Sequence, residues 1–169
     1  QETYGFEQIL LLGPGHRVAV RGLAFPSVDF FQTPLGNFPV AGSIIKELVK
    51  QGYGAFNDRA HQQEHSLEVQ LPFLQALSME LPLIPVVVGL VEPEEVSLLI
   101  ERVTTQANTL ILVSSDLSHF HSYETARRLD QDTSHQIEQL DETLQPEQAC
   151  GCRAINGLLH WLQQRKSSI

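Results

Sequence analysis

Cysteine is scarce in this 169-residue chain: only Cys150 and Cys152 occur, too few and too close together for a disulfide framework. The expectation is a reducing, cytoplasmic setting. Positive charge is scarce as well. Eleven Lys+Arg stand against 20 Asp+Glu, a net charge of −9, and the longest basic run is the pair Arg127-Arg128. Without a basic stripe, nucleic acid and anionic membrane surfaces are poor partners, because both are held by clustered cations. Long apolar runs are missing too, and none approaches the roughly 20 residues of a membrane span. Repeats, low-complexity tracts and a signal-peptide pattern are absent. Methionine is reduced to Met79 and the chain starts Gln1-Glu2-Thr3, which reads as an excerpt of a longer protein.

What remains is ordinary globular material, 42% hydrophobic and 18% charged, long enough for a single domain with a real core. Histidine is the exception. Seven His beside eleven Lys+Arg is generous, and clustered His in an acidic domain raises the question of metal.

Three short apolar runs, Gln8 to Leu12, Leu83 to Val88 and Thr109 to Val113, lack alternation and are followed by Gly or Ser. They read as parallel strands buried on both faces. Helical patterns lie between and after them. Val40 to Gln51 is closed by Gly52, and Ser66 to Leu77 contains Pro72, which should bend or restart it. Pro93 precedes a helix from Glu94 to Gln106, Ser122 caps one that runs to about Leu140, and Pro146 to Gln164 closes the chain. Residues 18–35, rich in Gly, Pro and Phe, are expected to hold one or two short strands with turns, including Thr33-Pro34-Leu35-Gly36. Strands alternating with helices predict an α/β three-layer sandwich, with a mostly parallel central sheet flanked by helices. Ligands of such folds sit beyond the carboxyl ends of the strands, so polar clusters there carry the functional expectation.

Four clusters qualify. Gly13-Pro14-Gly15-His16 turns sharply after the first strand and presents His16, although a plain turn with an exposed His explains it as well. It has the spacing of neither a P-loop nor a dinucleotide fingerprint. Asp116 and His119 follow the third strand, where a carboxylate and an imidazole three residues apart can share a pocket; a simple helix cap is the alternative. His61-Gln62-Gln63-Glu64-His65 fits H-x-x-E-H, in which both His would bind zinc and Glu64 would act as base, with Glu138 or Glu142 as a third ligand. A solvated helix start explains the same string. Cys150-Gly151-Cys152 lies near the start of the last helix, where a thiol shifts toward the metal-binding thiolate; small buried residues are the alternative. Arg17, Arg21 and Glu68 read as surface or packing charges, and Phe30-Phe31 and Trp161 as core.

Taken in order, Gly13-Pro14-Gly15-His16-Arg17, the stretch Glu64-His65-Ser66-Leu67-Glu68-Val69-Gln70-Leu71-Pro72-Phe73, Ser114-Ser115-Asp116-Leu117-Ser118-His119-Phe120 and Cys150-Gly151 resemble the Memo family, also called AmmeMemoRadiSam system protein B. The resemblance covers nearly the whole chain. It implies a fold similar to the class III extradiol dioxygenases, which are non-haem iron enzymes. It also implies that residues 1–169 form a single Memo-like domain lacking the family's N- and C-terminal strands. The implied metal ligands are His16, His65 and Cys150. His119 matches the acid/base of the dioxygenases and Asp116 the remaining polar group of the pocket, so these two are the catalytic candidates. His61 becomes a bystander.

The implied cofactor is iron(II) or copper; zinc suits the same N₂S donor set, and a metal-free site is compatible with the missing segments. The implied activity is that of a metal-dependent redox enzyme acting on a small-molecule or peptide ligand. The family also implies a functional link to AMMECR-type and radical SAM proteins. Two alternatives stand beside it: a zinc hydrolase using H-x-x-E-H, and a non-catalytic binding module using the same pocket. Cys150 motivates the second, because a thiolate is itself open to oxidation. Gly15 departs from the family, which more often has Ser there, with a hydroxyl able to support the first ligand.

Overall fold

A computed structural model describes residues 5–166. The chain runs β1 (Gln8–Pro14), β2 (Leu23–Phe25), β3 (Phe30–Thr33), β4 (Gly36–Pro39), α1 (Gly42–Lys50), β5 (Ala55–Phe56), α2 (Asp58–Gln62), a 3-10 turn (Glu68–Gln70) and α3 (Leu71–Ala76). It continues through β6 (Leu83–Val88), α4 (Pro93–Thr104), β7 (Thr109–Val113), α5 (Tyr123–Glu138) and α6 (Cys152–Lys166). All three apolar runs of the sequence form strands.

The main sheet has the order β5-β2-β6-β1-β7. β1 lies in parallel between β6 and β7, β5 is parallel to β2, and the β2–β6 pair is antiparallel. The sheet is therefore mostly parallel, as unbroken apolar strands require when both faces are covered. β7 is an outer strand: among the described residues it pairs with β1 alone, and its five side chains are half-buried. β3 and β4 form a separate hairpin closed at Pro34-Leu35.

Alternate side chains of the strands serve opposite layers. Leu10, Leu12, Ile84 and Val86 pack with Ile45 and Leu48 of α1, with Val96, Leu99 and Ile100 of α4, and with Ala154 of α6. Ile9, Leu11 and Val87 face Ala60 of α2, Leu71 and Leu74 of α3, and Phe38 of the hairpin. Each such Leu or Ile contributes about 1.5–3 kcal/mol when fully buried. The three-layer expectation holds.

The differences have local causes. The single helix expected from Ser66 becomes the 3-10 turn and then α3, with Pro72 in α3's first turn, where its missing N–H costs little. The last helix starts at Cys152, as expected from the Cys150-Gly151-Cys152 string, after an approach in which the Cys150 amide donates to the Asp116 carbonyl at 3.1 Å. Phe30, expected in the core, is 50% exposed. It sits on the small hairpin, outside the main sheet.

Gly157 lets α6 approach α4: a Cβ there would lie 2.3 Å from Val96 Cβ. Gly157→Ala is therefore expected to lower stability by about 1–3 kcal/mol, read as a lower denaturation midpoint. An unchanged midpoint would mean that the two helices separate freely.

Candidate functional site

The cleft lies beyond the carboxyl ends of β1 and β7, where the fold rule places it. It encloses about 320 Å³ and is lined by His16, Glu64, His65, Ser114, Asp116 and Cys150, among others. Three separate turns deliver these residues. The first leaves β1. Gly13 has no side chain, and residues 66–67 pack closely over it: a Cβ there would lie 2.7 Å from Leu67 Cδ2 and 3.1 Å from Ser66 Oγ. The Ser66 hydroxyl then donates to the Pro14 carbonyl at 2.8 Å.

Glu64 ties the first two turns together. Its side chain is 4% exposed. One oxygen accepts the His16 backbone N–H at 2.5 Å, and the other meets His16 Nδ1 at 3.0 Å. The same carboxylate accepts the N–H groups of His65 at 3.0 Å and Ser66 at 3.2 Å. Burial pushes its pKa up, but the hydrogen bonds from His16 and Ser66 outweigh that and bring it down to about 2. A second carboxylate acts likewise: Glu68 Oε1 lies 2.7 Å from His65 Nδ1. A neutral imidazole donating Nδ1–H to the carboxylate would leave Nε2 as the free acceptor in each case.

The third turn joins the exit of β7 to the approach of α6. The Cys150 amide donates to the Asp116 carbonyl, and the Asp116 amide donates back to Cys150 Sγ at 3.2 Å. The Gly151 amide donates to Ser115 Oγ at 2.9 Å, and a Cβ on Gly151 would lie 2.7 Å from the Ser114 carbonyl oxygen. The turn is thus clamped, with an N–H donor aimed at the sulfur. His119 Nε2 is 3.8 Å from Asp116 Oδ2. Asp130 of α5 steadies this loop by accepting the Ser118 amide at 2.9 Å. Phe120, with φ +61°, points its ring fully into solvent next to His119.

One group among the described residues brings three metal-capable donor atoms within 4.8 Å of one another: Asp116, His119 and Cys150. His16 and His65 line the same cleft as Cys150 without belonging to that tight group. The H-x-x-E-H string does not assemble. α2 ends at Gln62, so His61 and His65 share no helical face. The His61 ring meets the Ala24 carbonyl through Nε2 at 3.0 Å, and Glu64 is occupied by His16. Glu142 pairs with His160 at 2.8 Å and Glu138 lies 4.0 Å from His135, both away from the cleft lining.

A sequence model described as Memo-like protein matches residues 1–156. The chain belongs to the Memo-like family. It is 35% identical over 139 residues to a "MEMO1 family protein" of Aquifex aeolicus, an alignment covering 80% of this chain and 52% of that protein. A "MEMO1 family protein" of Methanobrevibacter smithii is 32% identical over 145 residues, covering 82% and 51%. One of Metallosphaera sedula is 31% identical over 141 residues, covering 79% and 50%. This Memo-like chain spans about half the length of the curated relatives it matches.

In the Memo-like chain, sequence reasoning misjudged the carboxylates. The sequence offers Glu64 a role only as base of the H-x-x-E-H alternative and Glu68 only as a surface or packing charge, yet each holds one imidazole of the cleft. Position offered a signal for Glu68, which stands at i+3 from His65. Nothing local could show that Glu64 reaches back to His16. Gln70 was not singled out at all; its amide donates to Ser114 Oγ at 3.0 Å across the cleft floor.

Proposed function

We propose that the cleft is a metal-dependent redox site, with iron(II) or copper held by His16, His65 and Cys150 and protons handled by Asp116 and His119. One observation carries this reading: two imidazoles, each anchored at Nδ1 by a carboxylate, line one cavity with a thiol that receives an N–H. Carboxylate-anchored imidazoles are the usual outer support of a metal ligand. The donor set is soft, N₂S, which suits iron, copper or zinc and not magnesium or calcium. A metal bound there would supply redox chemistry and open positions for substrate or oxygen.

The chain's own residues do the rest. Glu64 and Glu68 fix the imidazole tautomers. The Asp116 amide donates to the Cys150 sulfur, and the Ser115 hydroxyl, donating to the Asp116 carbonyl, braces the same turn. His119, within reach of the Asp116 carboxylate, takes or gives a proton at Nε2. The resemblance to class III extradiol dioxygenases favours an oxygen-dependent reaction on a small molecule or peptide, with a functional link to AMMECR-type and radical SAM proteins. No described helix is long and apolar enough to cross a membrane.

Cobalt(II) titration without oxygen tests the ligand set. A sulfur-to-cobalt charge-transfer band is expected, and His61→Ala should retain it at wild-type affinity. A missing band removes Cys150 from the set. Loss of metal in His61→Ala would favour the hydrolase instead.

A further inference from the structure

A second cavity, of about 430 Å³, shares Glu64 with the cleft. Part of its wall is apolar: Val28, Phe30, Phe31 and Leu67 line it. Val28 and Phe30 are 43% and 50% exposed, so apolar surface is presented to the opening rather than withdrawn into the core. The other part is acidic. Asp58, Glu64 and Glu68 line the cavity, and no Lys or Arg does.

Glu64 and Glu68 each give one oxygen to an imidazole, of His16 and His65, and no Lys or Arg faces any of the three carboxylates across the cavity. Asp58 accepts only neutral donors there, the Ser27 amide at 2.7 Å and the Ser27 hydroxyl at 2.6 Å, which hold its carboxyl below the usual range. His61, in edge contact with the Phe31 ring, adds no positive charge, because burial lowers its pKa. Its Nδ1 is buried without a hydrogen-bond partner. An anion is repelled by such a wall, and a neutral apolar ligand leaves carboxylates desolvated with no counter-charge. A cation on an apolar stem satisfies both halves, pairing with a carboxylate and lying against aromatic faces.

We propose that this cavity binds a small organic amine, a primary ammonium carried on an arylalkyl stem, with Glu68 and Asp58 facing the charge and Phe30 and Phe31 the ring. The site does not depend on the metal reading. It does touch it, because Glu68 also anchors His65.

Amide NMR titration of the metal-free chain with phenethylamine, phenethyl alcohol and phenylacetate tests the proposal. Saturable shifts are expected from the amine at residues 26–32 and 58–68, with the alcohol about tenfold weaker or more and phenylacetate silent. Glu68→Gln should weaken the amine by about tenfold and leave the alcohol unchanged, and Phe30→Ala should weaken both. Both residues are half-exposed, and thermal unfolding checks that the variants fold. Equal binding of amine and alcohol, shifts centred elsewhere, or no saturation would overturn the assignment. Metal uptake is measured separately, so failure here leaves the proposed metal site standing, and the reverse.

Discussion

Cys150→Ser is expected to weaken iron or copper binding by more than about 100-fold, beyond the range usual for losing an outer-shell partner. The serine keeps the size and the Asp116 contact but replaces a soft thiolate with a hydroxyl that stays protonated near neutral pH. His16→Ala should do the same, because it removes a nitrogen donor and leaves Glu64 buried beside a gap. His119→Ala should retain the metal and lose turnover. These variants also separate the two donor sets that share Cys150. If the tight group of Asp116, His119 and Cys150 holds the metal, His119→Ala loses it and His16→Ala keeps it. Chelator competition followed by metal quantification reads all three variants, and retention of metal by Cys150→Ser would defeat both assignments.

Glu64→Gln carries the other large effect, on stability. The folded pKa of Glu64, about 2, lies below its ordinary 4.5. A lowered carboxyl contributes stability that is complete above pH 4.5 and is lost as pH falls through about 2. The difference corresponds to at most roughly 3 kcal/mol. Glu64→Gln should remove most of it at neutral pH and flatten the stability curve between pH 4.5 and 2. Denaturant titrations at stepped pH measure this. An unchanged acid slope would mean that Glu64 is not the coupling group. His61 acts in a separate window: its pKa is lowered, so acidification costs stability as pH falls below 6.5 toward that lowered value. Metal affinity should fall about 10–100-fold in Glu64→Gln, because His16 loses its anchor.

The strands were legible because burial on both faces leaves no room for polar alternation; Ile9 to Leu12 and Val86 to Val88 announce themselves. The antiparallel run of β2 was not, since three residues carry no periodicity and their seat is fixed by distant contacts: the Gly89 amide donates to the Gly22 carbonyl at 3.0 Å, and a Cβ on Gly89 would collide with Val20. The cleft was legible as separate fragments, His16, His65, Asp116 and Cys150, each at a strand exit or helix approach. What joins them was hidden. Glu64 reaches His16 across 48 residues of chain, and the Asp116–Cys150 exchange spans 34. No local pattern encodes such closures. The H-x-x-E-H string looks helical in isolation, but α2 ends at Gln62 and Glu64 beyond it turns to His16.

The open side of β7 bears on how molecules of this chain meet one another. Among the described residues, Thr109 to Val113 leaves one backbone row without a strand partner and carries no charge or proline there, the form of edge that accepts a further strand. Repulsion between molecules of net charge −9 is what opposes that encounter, and its reach shrinks from about 10 Å at 0.1 M salt to about 3 Å at 1 M. The acidic surplus of the sequence therefore sets a long-range repulsion between copies of this chain, one that dissolved salt weakens.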